Sequence, residues 1–222
     1  MAAFLVHGVP DTHDLWDDVL AHLSSGAASG AIAPDLPGFG CPVPDGFTAT
    51  KEEYLAWLIG RVEEAVDSTG GPVDLVGHDW GTLLTQRLAV ERPDLVRTLA
   101  SGAAALEPTY EWHEFAKAWQ RPETGIEMVP TSDARMAECI LSLYRSAVDV
   151  YAEWTGDIES LTARSLVVWG ADDPFVGRAF GERFAERTKA DLLMLEGCGH
   201  WWPRERPAEV AAALEAHWNA AS

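Results

Sequence analysis

Six short apolar runs constrain this chain more than any other feature. They are residues 2–6 (AAFLV), 31–35 (AIAPD), 73–77 (VDLVG), 96–101 (VRTLAS), 165–169 (SLVVW) and 191–196 (DLLMLE). Runs of this length without polar alternation fit strands buried on both faces of a sheet. Helical patterns separate them at 15–23, 51–66, 82–93, 178–187 and 207–218, and the third stops at Pro93. Regular strand–helix alternation predicts an α/β fold: a parallel sheet with helices on both faces and right-handed crossovers. Pro34 has no N–H to give a ladder, so residues 31–35 suit a sheet edge.

One segment breaks the rhythm. From Pro108 to Ala163 there are helical patterns and tryptophans but no good strand. The runs on either side read as neighbouring strands. The expected organisation is therefore a core of residues 1–107 and 164–222, with 108–163 inserted as a helical layer over one end of the sheet.

Charge and cysteine usage remove several functional classes. The 222 residues carry 35 Asp plus Glu against 16 Lys plus Arg, a formal charge of −19. Such a surface repels nucleic acid and anionic membranes, so neither is an expected partner. Cys41, Cys139 and Cys198 lie far apart and form no metal or disulfide pattern, which favours a reduced, cytoplasmic protein. The start, MAAFLVHGVP, has neither the basic flank nor the apolar length of a signal peptide, and no run approaches the ~20 residues of a membrane span.

Four motifs follow strand candidates: HGVPD (7–11), GHDWG (77–81), WGADDP (169–174) and EGCGHWW (196–202). All four therefore fall at the carboxyl edge of the sheet, where open α/β sheets bind ligands. In GHDWG an aspartate occupies the turn in which G-x-S-x-G would place a serine, and the chain order is Asp, acid, His.

Taken in register with DLPGFG (35–40), these motifs make the chain resemble α/β-hydrolases of the epoxide hydrolase and haloalkane dehalogenase group. The resemblance spans nearly everything outside the insertion. It implies an α/β-hydrolase fold that lacks the usual first two strands and carries a short helical cap. It also places the Phe4 strand between the 31–35 edge and the Asp79 strand. Asp79 would be the nucleophile, His200 the general base and Asp173 the acid that orients it, with the backbone N–H groups of Val9 and Trp80 as oxyanion hole. No cofactor or metal is implied. The chemistry suits the residue: a carboxylate of pKa ~4 is already an anion at neutral pH, and it can attack saturated carbon. The resulting alkyl ester is then opened by water that His200 activates.

Other readings stand beside this one. Asp79 could merely cap the helix beginning near Trp80. His7, His78 and Cys198 read as structural. Asp172 and Glu107 are the other candidates for the acid. Tyr110, Tyr144 and Tyr151 could protonate a leaving alkoxide; the last two share a helix face if that helix is unbroken. A dehalogenase needs two N–H donors around a halide. Trp80 offers one, but Val9 stands where many dehalogenases have Asn, leaving Trp112, Trp119 or Trp154 for the second. Trp80 and Trp16 are expected cavity walls. The favoured function is an epoxide hydrolase acting on a small apolar organic substrate. The alternatives are a haloalkane dehalogenase, an ester or lactone hydrolase, and a non-catalytic binding protein on the same scaffold.

Overall fold

The computed structural model describes residues 2–221. Strands β1 (Ala3–Val6), β2 (Ala31–Ile32), β3 (Val73–His78), β4 (Val96–Gly102), β5 (Arg164–Gly170) and β6 (Asp191–Leu195) form one sheet in the order β2-β1-β3-β4-β5-β6. Every pairing is parallel. In chain order the α-helices are α1 (Asp17–His22), α2 (Ser25–Ala28), α3 (Lys51–Thr69), α4 (Trp80–Glu91), α5 (Glu114–Trp119), α6 (Ala134–Ser146), α7 (Val150–Trp154), α8 (Arg178–Thr188), α9 (Trp202–Glu205) and α10 (Pro207–Asn219).

Alternate strand residues serve opposite layers, as the pleat requires. Phe4, Val6, Leu75, Leu99, Val167 and Trp169 pack into one cluster with α3, α4 and α8. Ala3, Leu5, Val76, Ala100, Leu166 and Val168 pack into the other with α1 and α10. Burial on both sides is why these runs show no polar alternation.

Two local expectations need correction, and two short helices have no counterpart in the sequence reading. β2 spans two residues rather than five, because the chain reaches Pro34 and cannot continue the ladder. Residues 15–23 do not form one helix: a 3-10 turn, His13–Trp16, leads into α1. The four-residue helices α2 and α9 are too short to show a helical period in sequence.

Between β4 and β5 lie α5, α6, α7 and two 3-10 turns. A buried cation ties this segment to the core. Lys51, at the start of α3, donates to the Ser146 carbonyl at 2.8 Å and pairs with Glu52 and, at 2.9 Å, with Glu153. Arg145 donates to the carbonyls of Arg121, Pro122 and Thr124, pinning the loop after α5 to α6. Among the described residues no helix is long and apolar enough to cross a membrane.

Candidate active site

β3 turns into α4 through Asp79, whose φ of 52° and ψ of −120° are uncommon for a residue with a side chain. Such a conformation costs on the order of 1–3 kcal/mol and persists only where the surroundings enforce it. Glycines permit the close packing here. A Cβ on Gly81 would stand 2.1 Å from the Val6 carbonyl oxygen, and one on Gly8 would stand 2.4 Å from Asp79 Cβ. The turn lifts the carboxylate above the sheet edge, and it makes no N-cap hydrogen bond to α4.

Asp79 Oδ1 accepts the Val9 N–H at 2.9 Å, and the Trp80 N–H also bears on the carboxylate. The two backbone donors expected of an oxyanion hole thus converge on Asp79 itself. Its Oδ2 lies 3.7 Å from His200 Nε2. His200 Nδ1 meets Asp173 Oδ2 at 2.8 Å, while Asp173 Oδ1 accepts the N–H groups of Phe175 (2.8 Å) and Val176 (2.9 Å). The structure therefore brings Asp79, His200 and Asp173 together. Asp172 is exposed, and Glu107 is turned away, held by Arg187 at 2.8 Å and by Thr109.

Burial sets the protonation balance. It pushes the Asp79 carboxyl up to about 6, against the opposing pull of His200 and the two backbone N–H donors. For His200, burial alone would lower the imidazole, but the Asp173 hydrogen bond and the charges of Asp79 and Asp173 outweigh it, and the net shift is upward. The His200 ring is boxed by His78, Phe175 and Trp201, each with its ring centroid 5.0 Å away. Trp201 is in turn held by its indole N–H, which donates to Asp11 at 3.1 Å.

The other histidines of the motifs serve the backbone. His7 Nε2 accepts the Leu36 N–H at 3.0 Å and its Nδ1 donates to the Gly8 carbonyl; burial lowers it to about 4. His78 Nε2 donates to the His200 carbonyl at 2.9 Å. Cys198 is buried, and its thiol is pushed up to about 12.

Above Asp79 is a cavity of about 630 Å³ between the sheet edge and the α5–α7 segment. Trp80, Tyr110, Trp112, Trp119, Tyr144 and Tyr151 all line it. α6 ends at Ser146, so Tyr144 and Tyr151 are carried by two helices rather than one face of an unbroken helix. Trp16 does not line the cavity. It is fully buried on the opposite face of the sheet, edge-on to Trp202 at 5.7 Å, because the loop after β1 carries it from the rim to the α1–α10 layer. Trp154 is also elsewhere, against Lys51. Sequence reasoning missed Phe175, Trp201 and His113 as lining residues. Phe175 directly follows WGADDP and Trp201 lies within EGCGHWW beside His200, which is a usable signal; His113 had none.

A model described as the alpha/beta hydrolase family matches residues 3–213. The chain belongs to that family. Among relatives of this hydrolase, (E)-2-((N-methylformamido)methylene)succinate hydrolase of Acinetobacter baylyi is 27% identical over 96% of this chain and 88% of its own length. Epoxide hydrolase 2 of Siraitia grosvenorii is 36% identical, over 45% of this chain and 31% of that protein. Among solved structures, a loop variant of a haloalkane dehalogenase from Bradyrhizobium elkanii superposes with a TM-score of 0.74 at 20% identity, covering 100% of this chain and 91% of that one. That likeness carries the fold.

Proposed function

We propose that this hydrolase opens epoxides through an alkyl ester formed on Asp79. The observation that carries the reading is the placement of phenols over the carboxylate. Tyr110, Tyr144 and Tyr151 all line the cavity, and all three feel the Asp79 charge, which together with burial keeps them protonated. A protonated phenol is what a departing alkoxide needs. The Tyr110 hydroxyl is directed to the Phe175 carbonyl at 3.4 Å, which leaves Tyr144 and Tyr151 as donors. The Tyr144 ring is edge-on to Trp80 at 5.4 Å and its hydroxyl feels the Trp80 indole N–H, so it is the leading candidate.

In the first step Asp79 Oδ2 attacks an epoxide carbon, the C–O bond breaks, and the alkoxide takes the Tyr144 proton. Oδ1 then becomes the ester carbonyl oxygen, already seated against the Val9 N–H, with the Trp80 N–H bearing on the same carboxyl, and the two donors would stabilise a tetrahedral oxyanion. In the second step His200 removes a proton from water, which adds to Asp79 Cγ. Collapse breaks the bond from Cγ to the diol oxygen, which takes the proton from His200, and the proton left on the Asp79 carboxyl returns to the Tyr144 phenolate, restoring both carboxylate and phenol. Alkylation removes the Asp79 charge that raises His200, so the imidazole shifts towards its neutral, basic form when the second step needs it.

One observation favours a second reading. The indole N–H groups of Trp80 and Trp112 are buried without a hydrogen bond of regular geometry, and their rings stack at 6.0 Å and 22° on the cavity wall. Two such donors could cradle a halide, giving a haloalkane dehalogenase with the same nucleophile.

Tyr144→Phe separates the readings. Rapid-quench measurement of alkylation by styrene oxide should slow about 100-fold, as loss of a positioned acid implies, with hydrolysis of the formed ester nearly unchanged. Unchanged alkylation in Tyr144→Phe, with haloalkane turnover abolished by Trp112→Phe, would move the assignment to the dehalogenase. The pH dependence gives an independent check. Alkylation needs the Asp79 anion, so its single-turnover rate should rise with pH through about 6 and level off above it. A rate that is flat from about pH 5 to 7 rules out a nucleophile with that acidity.

A further inference from the structure

His113 lines the cavity, yet no motif or step above uses it. It precedes α5 and caps it, its Nδ1 accepting the Ala116 N–H at 3.3 Å. A backbone N–H can only donate, so Nδ1 carries a lone pair, and the neutral ring must hold its hydrogen on Nε2. Burial, helped by the His200 charge and opposed by Asp173 and Glu114, holds the imidazole below its ordinary range, so the ring is neutral at pH 7. Among the described residues no protein acceptor takes the Nε2 hydrogen. The ring packs on Phe175 at 5.3 Å, and Phe175 packs on His200 at 5.0 Å. A ring whose N–H finds no acceptor among the described residues therefore lines, one ring away from the base, a cavity rich in aromatic rings.

We infer that His113 reads a hydrogen-bond acceptor on the ligand, so that the cavity selects aryl compounds bearing a carbonyl, ether or amide oxygen over isosteres that lack one. A ligand without an acceptor must desolvate the N–H and leave it unpaired, and sites built around a polar contact discriminate chiefly by that penalty. The cavity volume of about 630 Å³ fits this class, being within the range of drug-sized ligand sites and generous for a very small substrate. The inference does not depend on what Asp79 does, because it concerns binding alone.

The test uses two non-reactive probes of nearly equal shape, benzophenone and 1,1-diphenylethylene, with dissociation constants from tryptophan fluorescence quenching. The protein should bind benzophenone about 5-fold more tightly, the scale of one neutral hydrogen bond. In His113→Asn the asparagine oxygen can still cap α5, whereas the donor at the Nε2 position is gone. There the two dissociation constants should become equal, while Trp112→Phe keeps the preference. No preference in the unaltered protein, or a preference that survives in His113→Asn, overturns the inference. A second readout needs no variant. Ring 15N shifts should place the His113 hydrogen on Nε2, and benzophenone should move that resonance where 1,1-diphenylethylene does not. A hydrogen found on Nδ1 overturns the assignment equally.

Discussion

His200→Gln, mixed with an excess of styrene oxide, should take up one equivalent and stop. Removing a positioned general base costs about 10²–10⁴-fold in the step it serves. Here that step is opening of the ester, since Asp79 needs no base to attack. Glutamine can fill part of the space enclosed by His78, Phe175 and Trp201, so the carboxylate and its two N–H donors should keep their places. Digestion and mass spectrometry should find the added mass of the whole epoxide on the peptide bearing Asp79. A haloalkane would leave only its alkyl group there, so the same experiment distinguishes the two chemistries. Asp79→Asn, carrying no anionic nucleophile, should show no adduct. Steady turnover by His200→Gln within tenfold of the unaltered enzyme, or an adduct on another residue, would sink the covalent mechanism.

The sheet was legible because burial on both faces leaves a plain mark: β1 and β5 carry consecutive apolar residues, alternate ones packing into opposite layers. The four motifs were legible because each closes a strand and so reaches the same edge. What sequence could not supply was direction. Trp16 follows HGVPD closely and Trp201 lies within EGCGHWW, yet one passes beneath the sheet and the other returns to the cavity, a choice made by loop geometry rather than residue type. Glu107 lies five residues beyond β4, in a stretch open to the acid, but Arg187 and Arg183 on α8 face it, and that pairing across distant segments has no local signal. Tyr144 and Tyr151 were singled out by their spacing, which assumed one helix. They share the cavity through the turn at Ala147 instead. His113 could be read as a donor only once its other nitrogen was seen to cap α5.

Asp173→Asn should be nearly as damaging as loss of His200 itself, for a reason specific to this loop. Asp173 Oδ1 accepts two backbone N–H groups, from Phe175 and Val176, and Oδ2 faces His200 Nδ1. An asparagine here has one orientation that satisfies the backbone: its oxygen must stay with the two N–H donors, because an NH₂ in that place would set donor against donor and leave buried groups unpaired. The amide nitrogen is then aimed at His200 Nδ1. That nitrogen must accept, so the ring hydrogen moves to Nε2, the atom facing Asp79. The imidazole survives in place but presents a donor where the mechanism needs a lone pair. A wrong-tautomer histidine of this kind costs about 10⁴-fold in serine hydrolases, and the same scale is expected here for ester hydrolysis. Alkylation should fall far less, so Asp173→Asn should also accumulate the adduct on Asp79. The proton assignment can be checked directly, since 15N spectra should show the His200 hydrogen on Nδ1 in the unaltered protein and on Nε2 in the variant. If the tautomer is unchanged and ester hydrolysis falls less than tenfold, Asp173 is not the residue that orients the base.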